Sequence, residues 1–391
     1  MSSLARLIAS GAVQSRTELA NRTGLARSTI GVHLDRLEAS GLIREAGLAA
    51  ASGPGRPARC LGLSPEAGLV LVGDLSVHTA RVVVADLTQR LLAQQTYPIR
   101  IADGPEDVLA GLEQAWRHLL LEIDADPHQV RTVAVGLPGP VDHSTGTPVR
   151  PPLMPGWDGY PVGQVLGERF GCPALVDNDV NMMALGEARA LPMTQYPLVF
   201  IKVSTGIGSG IIGAAGDLHY GADGAAGDIG HIQVPDSDHV ACRCGNRGCL
   251  EAVASASSMI RALRDPDADL GTPPGEFTTA ELEALVARIA QGDTETTRLV
   301  KDAATVLGQL VASLVNVLNP ARIVLGGALA AASDDMLAGV RSGVYSRALP
   351  LATRNLTLSY SVLGPVCGVV GGVVSAIEHV LSPEGLTVLR S

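Results

Sequence analysis

At 391 residues the chain is too long for one ordinary core, so two or three domains are expected. Hydrophobic residues at 46% against 17% charged exclude a disordered chain, and aromatics at 3% leave Val, Leu, Ile and Ala to build the cores. The net charge of −10 excludes a protein that coats nucleic acid, yet residues 1–62 hold eight Arg and four acidic residues, a net of +4 against −14 for the remainder; a basic head on an acidic body fits DNA contact at one end only.

Leu4, Leu7 and Ile8 have helical spacing and predict a short first helix ending near Gly11. Ser15-Arg16-Thr17-Glu18 reads as a capping box opening a second helix that stops at Asn21–Gly24. A third helix is predicted from Arg27 to Ser40, weakly started because Ala26 is a poor N-cap. Its Ile30, Leu34 and Leu37 face a core, while Arg27, Ser28, Thr29, Val32 and Arg36 face outward, where Arg and hydroxyl groups reach base edges and phosphates in a major groove. Leu42-Ile43-Arg44 and Arg59–Leu63 read as two strands of a wing around a loop, Ala46–Pro57, in which Gly55-Arg56-Pro57 would enter a minor groove. The alternative for this head is a small helical dimerisation domain. Its Pro/Gly-rich segment Gly53–Pro57 is the expected point of coupling to the body.

From Leu69 apolar strands with Gly-rich turns take over, at Leu69–Leu75, Thr79–Leu87 and Val130–Gly136, alternating with helices at Pro105–Ile123, Val162–Phe170 and Asn181–Ala190. A second strand-rich start at Leu198–Val203 and Gly210–Gly213 precedes long helices near 278–291 and 295–318, which suggests two α/β lobes in an internal structural repeat. The start of the chain lacks the pattern of a secretory leader and no apolar run reaches the ~18–20 residues of a membrane span, so a cytoplasmic protein with no membrane partner is expected.

His231, Cys242, Cys244 and Cys249 supply three thiolates and an imidazole, the donor set of a tetrahedral structural zinc. Gly245 and Gly248 let the loop fold tightly enough for the sulfurs to converge. The alternative is three buried free cysteines beside an unrelated histidine; a redox pair is disfavoured because the spacing is not C-x-x-C.

Gly227-Asp228-Ile229-Gly230-His231 followed by Cys242-Arg243-Cys244-Gly245-Asn246-Arg247-Gly248-Cys249-Leu250-Glu251 resembles the signature of the ROK family of repressors and sugar kinases. Gly136–Asp142, Asn178–Asn181 with Gly186-Glu187, Ser204–Gly210 and Leu325-Gly326-Gly327 resemble further family motifs in the same order, so that the resemblance spans about 69 to 385. It implies a two-lobed, actin-like or hexokinase-like (ribonuclease H-like) ATPase fold behind a winged helix-turn-helix. The head would span 1–63 and the first lobe 69–190, completed by a C-terminal helix at 369–385; the second lobe, 191–368, would carry the zinc.

The resemblance also implies roles. Asp179 takes the position of the catalytic base toward a sugar hydroxyl; Asn178, Asp179, Asp228, His231 and Glu251 would bind the sugar, with His231 serving metal and sugar through its two ring nitrogens. Each of these polar residues is otherwise an ordinary capping or surface group. Asp74, Thr205, Gly206, Gly208, Gly326 and Gly327 fall at phosphate-loop positions, although the Gly-rich turn at 204–210 reads equally as a plain hairpin. The first phosphate loop departs from the kinase pattern D-x-G-G-T: Ser76 and Val77 replace the glycines and His78 the threonine, which opposes ATP binding and hence enzymatic activity. Asp228 replaces the usual Glu, Leu153 stands where relatives often have Asn, and Trp157 is either a sugar-stacking face or core. The leading expectation is a sugar-gated DNA-binding repressor, a homodimer or homotetramer on a double-stranded operator, with a sugar or sugar phosphate as effector. The runner-up is an ATP-dependent hexose or amino-sugar kinase with a DNA-binding head, and a third reading is a scaffold controlled by a partner protein.

Overall fold

The computed structural model describes residues 1–11, 13, 15–48 and 59–388. The head contains α1 (Ser2–Ala9), α2 (Arg16–Thr23), α3 (Arg27–Ala39), β1 (Ile43–Leu48) and β2 (Arg59–Leu63). Ser15 Oγ accepts from the Glu18 N–H at 3.2 Å, which is the half of the expected capping box that the contacts display, and Gly24 ends α2 at φ +69°. Ala26 gives α3 no side-chain cap. Ile30, Leu34 and Leu37 are buried against Leu4, Ile8 and Leu19, as the helical spacing requires. In the wing Ile43 pairs with Leu63, and a bulge falls between Glu45 and Gly47. Ala46–Leu48, expected as loop, therefore continue the strand. Arg56, with the whole of Gly53–Pro57, lies outside the described residues.

The first lobe begins with β3 (Leu69–Leu75), β4 (Thr79–Asp86) and β5 (Leu91–Pro98), an antiparallel meander. After α4 (Pro105–Glu122) come β6 (Val130–Leu137), a small hairpin of β7 (Val141–Asp142) and β8 (Thr147–Pro148), α5 (Val162–Phe170), β9 (Ala174–Asn178) and α6 (Asp179–Ala190). The sheet order is β5-β4-β3-β6-β9, with β6 parallel to both β3 and β9.

The second lobe holds β10 (Leu198–Val203), β11 (Ile207–Ile212), α7 (Leu250–Ala254), α8 (Ala256–Arg264), α9 (Thr279–Ala290) and α10 (Thr294–Leu318). It continues with β12 (Arg322–Gly326), α11 (Ala328–Ala331), α12 (Asp334–Arg347), α13 (Pro350–Thr353) and β13 (Thr357–Tyr360), and the chain then enters α14 (Cys367–Val380) and α15 (Gly385–Val388). Its order, β11-β10-β12-β13, again joins an antiparallel hairpin to two parallel strands. The repeat expected from the strand pattern is thus present in topology: β10, β11, β12 and β13 answer to β3, β4, β6 and β9.

Each lobe sends its last helix across to the other. Helix α6 leaves β9 to pack on β10 and β11, and α14 leaves β13 to pack on β3 and β6. The two helices touch so closely that a Cβ on Gly371 would lie 1.7 Å from the Met182 carbonyl oxygen, so only glycine fits there. Trp157 is fully buried and its indole N–H donates to the Ile101 carbonyl at 2.9 Å, which settles it as core.

The core of the head is continuous with the first lobe. Leu4 and Ile8 join one apolar cluster with Val70, Val373, Ile377 and Leu381. Burial of each such large aliphatic side chain contributes roughly 1.5–3 kcal/mol. At the edge of the cluster Ser2 Oγ donates to the Leu381 carbonyl at 2.6 Å and Arg6 to the Glu378 carbonyl at 3.2 Å. Contact between head and body thus runs through α1 and the C-terminal helices. Among the described residues no helix is long and apolar enough to cross a membrane.

Candidate functional site

The crossing helices leave a cleft between the lobes, and its wall gathers residues far apart in sequence. Asn178, Asp179, Asp228, His231 and Glu251 all line it, with Thr205, Gly206 and Gly208. Asn178 is the N-cap of α6: its Oδ1 accepts from the Val180 N–H at 2.8 Å, and its Nδ2 donates to the Gly139 carbonyl at 2.8 Å. That amide is therefore positioned by capping work while it lines the cavity. Asp179 opens α6, and Asp228 precedes the short 3-10 turn that carries His231.

Asp179 is bonded to a group the motif reading passed over. Its Oδ2 accepts a hydrogen bond from the Lys202 ammonium, at a site where the two side chains are only 5% and 15% exposed. Burial alone would depress the Lys202 pKa, but Asp179, then Asp74 and Glu251, outweigh it and hold the ammonium above its usual range. Burial, with repulsion from Asp179, pushes Asp74 the other way, up to about 6. A lysine inside the otherwise apolar strand Leu198–Val203, in a chain with two lysines, is the sequence signal that points to it. The carboxylate at the expected base position is therefore already paired with a cation inside the cleft.

The phosphate-loop positions divide. In the first loop the Ser76 N–H donates to the Thr79 carbonyl at 2.8 Å and the Thr79 N–H to Ser76 Oγ at 3.1 Å; the Ile101 N–H bonds the Val77 carbonyl at 3.0 Å. This loop is closed on itself, as the loss of its glycines suggests. In the second loop the Ile207 N–H donates to Glu251 Oε2 at 3.1 Å, so one carboxylate oxygen anchors the turn. Gly326 and Gly327 are absent from the cavity wall; a Cβ on Gly327 would meet the Val203 carbonyl oxygen at 2.5 Å, so they brace β12 against the end of β10.

Behind the cleft Asp177 accepts from the Asn178 N–H at 2.7 Å, the Asn181 amide at 2.8 Å and the Tyr220 hydroxyl at 2.8 Å. Burial pushes its pKa up, and the bonds from Asn181 and Tyr220 oppose that. His143 stacks on Tyr220 with ring centroids 4.0 Å apart. Because Asp177 belongs to β9 and Tyr220 follows β11, this bond ties one lobe to the other. Neither residue belongs to the matched motifs, and only tertiary contact reveals the pair.

The cysteines converge as their spacing predicts. The ligand atoms of His231, Cys242, Cys244 and Cys249 all lie within 4.8 Å of one another. Cys242 Sγ is 3.7 Å from His231 Nδ1, and Cys244 Sγ is 3.7 Å from Cys249 Sγ. A tetrahedron with metal–sulfur distances of ~2.3 Å has an edge of about 3.8 Å, which these two contacts match, so the donor set suits a tetrahedral metal ion. Gly245 and Gly248 both have positive φ. With Nδ1 turned to the sulfurs, the His231 ring also reaches the cleft wall, the two-sided placement expected of it.

On the head, Arg27, Ser28, Thr29, Val32 and Arg36 are all exposed on α3, opposite its buried Ile30, Leu34 and Leu37. Residues 6–44 match the winged helix-turn-helix DNA-binding family, and residues 72–380 match the ROK family. The chain belongs to the ROK family. It is 26% identical to the xylose repressor of Caldicellulosiruptor bescii over 377 residues, covering 95% of this chain and 93% of that protein. It is 31% identical to a glucokinase of Halalkalibacterium halodurans over 246 residues, covering 61% of this chain and 74% of that one. In structure it is similar to a ROK family transcriptional regulator, a homologue of the E. coli MLC protein, with a TM-score of 0.78, 25% identity and coverage of 98% of this chain and 96% of that one.

Proposed function

We propose that this ROK protein is a transcriptional repressor that grips an operator through α3 and the wing and loosens its hold when a sugar or sugar phosphate enters the interlobe cleft. The observation that carries the reading is the pairing of a polar wall, with Asp228, His231 and Glu251 on one cavity, and a base position held by Lys202. Hydroxyls can be bound there, while the Asp179 carboxylate is taken up by the Lys202 ammonium. The relatives support it too, since the repressor aligns over head and body and the glucokinase over 61% of the chain.

In this reading the ion held by His231, Cys242, Cys244 and Cys249 is zinc, because three thiolates and one imidazole in tetrahedral array suit it. Zinc supplies structure: it joins the loop to the turn bearing His231. The residues do the recognition, with His231 and Asp228 presented from one turn, Glu251 from the start of α7 and Asn178 and Asp179 from the start of α6. The protein works in the cytoplasm as a homodimer or homotetramer, so that two heads meet two half-sites and a change of lobe angle alters their spacing.

The test is fluorescence anisotropy on a duplex that the zinc-loaded protein selects from a random pool, titrated with sugars and sugar phosphates. One of them should weaken operator binding at least tenfold, which requires it to prefer the released state by about 1.4 kcal/mol. Unchanged anisotropy with every member of the panel would overturn the reading. Thr205, Gly206 and Gly208 on the same cavity as Asp179 favour a second reading, a sugar kinase; ADP release with a hexose, lost in Asp179→Ala, would establish it.

A further inference from the structure

Beside the effector cleft lies a second cavity of about 310 Å³, within the size range of small-molecule sites. The two share a wall made by Val77, Pro152 and Leu153, so they meet end to end. None of the loops at 204–208 and 326–327 lines the second cavity, and of the first phosphate loop only the departed positions Val77 and His78 reach it. It too spans both lobes. The first lobe contributes His78, Arg100 and the Ile101-Ala102 segment, and the second contributes Arg243, Glu276 and Phe277.

Its chemistry is amphipathic. Ile101, Ala102, Leu153 and Phe277 give an apolar floor, with Phe277 edge-on to the His78 ring at 5.2 Å. The rim carries an Arg100–Glu276 ion pair at 3.5 Å, which crosses from lobe to lobe. Arg243 spends two donors on the carbonyls of Pro274 and Gly275, at 2.9 and 2.5 Å. His78 Nε2 is buried and has no hydrogen-bond partner among the described residues. Such an atom calls for a partner of its own. Glu276 offsets one of the two arginines, and the remaining N–H groups of Arg243 stay available as donors at the rim. An apolar floor with a few hydrogen-bonding groups at its edge matches the apolar face and equatorial hydroxyls of a sugar ring. Val77, His78 and Leu153, three positions at which the chain departs from the kinase pattern, all lie on this cavity.

We infer that the second cavity is a subsite for a second sugar ring, so that the effector is a glycosidically linked disaccharide with one ring in the cleft and the other against Phe277 and His78. This rests on the reading of the cleft as a sugar site. A ligand of that length touches both lobes in both compartments.

The experiment is calorimetry on the full zinc-loaded chain with glucose, xylose and glucose 6-phosphate as single-ring probes and cellobiose, maltose and xylobiose as two-ring probes. At least one disaccharide should bind ten times more tightly than its own monosaccharide. Ala102→Phe, which fills the second cavity from a residue that does not line the first, should abolish that advantage and leave monosaccharide binding within twofold. His78→Phe keeps the ring and removes the orphan nitrogen, and should weaken disaccharide binding about fivefold, the value of one hydrogen bond. A monosaccharide or glucose 6-phosphate that binds as tightly as every disaccharide would overturn the subsite and leave the sugar-sensing cleft standing. An equal loss for one-ring and two-ring ligands in Ala102→Phe would overturn it as well. Failure of all six probes to bind folded, zinc-loaded protein would overturn the sugar-sensing reading together with the subsite.

Discussion

Replacing Lys202 with methionine tests the charge arrangement at the floor of the cleft. The substitution keeps an unbranched apolar stem and deletes the ammonium bonded to Asp179. Asp179 is then left 5% exposed without its counter-ion, and Asp74, whose pKa is already pushed up to about 6, loses one of the two cations, with Arg81, that pull it down. Removing one partner of a buried pair costs about 3–5 kcal/mol. The sign with pH follows from the direction of the shifts. Without the ammonium that pulls it down, the Asp74 pKa rises further in the folded variant while it stays near 4 in the unfolded chain, so the penalty grows as pH climbs above about 4 and is lost as it falls. Urea unfolding followed by tryptophan fluorescence is a suitable assay because Trp116 and Trp157 are both fully buried in the first lobe. The variant should lose about 3–5 kcal/mol at pH 8 and roughly 1–2 kcal/mol at pH 5. Lys202→Met combined with Asp179→Asn, neutral on both sides, should return to within about 1–2 kcal/mol of the parent. An equal penalty at both pH values, or no recovery in the double variant, would refute the reasoning.

Arg27→Ala and Arg36→Ala should each weaken operator binding and lower the slope of log K against log salt by about 1, measured by anisotropy between 50 and 200 mM salt; an unchanged slope would remove α3 from the DNA. Cys244→Ser should reduce bound metal below one ion per chain by elemental analysis, lower the melting temperature and weaken sugar binding through His231; full stability with the metal gone would break that link. A Cβ on Gly227 would sit 2.2 Å from the Ser209 carbonyl oxygen at a φ of +98°, so Gly227→Ala should destabilise the second lobe by about 2–4 kcal/mol in urea unfolding.

The parts of the fold that were legible in sequence are those in which one face is buried. Ile30, Leu34 and Leu37 announce α3, and Leu69–Leu75 and Val162–Phe170 have the bounds their apolar pattern predicts. The edge strand Leu91–Pro98, largely exposed, has too little alternation to be seen, and the four-residue β13 is too short to display a period. Within the site, the cysteines and the residues of the matched motifs come together as their order suggests, because each motif forms one turn. Asp177 and Tyr220 were not legible, since they matter only through each other across 43 residues, and Lys202, conspicuous in an apolar strand, gave no sign of its partner 23 residues away. Gly326 and Gly327 fell at a motif position, yet the space they fill is set by Val203 and Phe200 and not by the cavity.

The shared apolar cluster of α1, α14 and β3 leaves the head no swivel of its own. Helix α14 is also one of the two struts that span the lobes, so a tilt of one lobe against the other turns the shaft on which the reading helix is mounted. In the proposed reading this packing is the route by which effector occupancy would reach the head, and small residues inserted into or trimmed from that shaft should detune the response while leaving both binding surfaces whole.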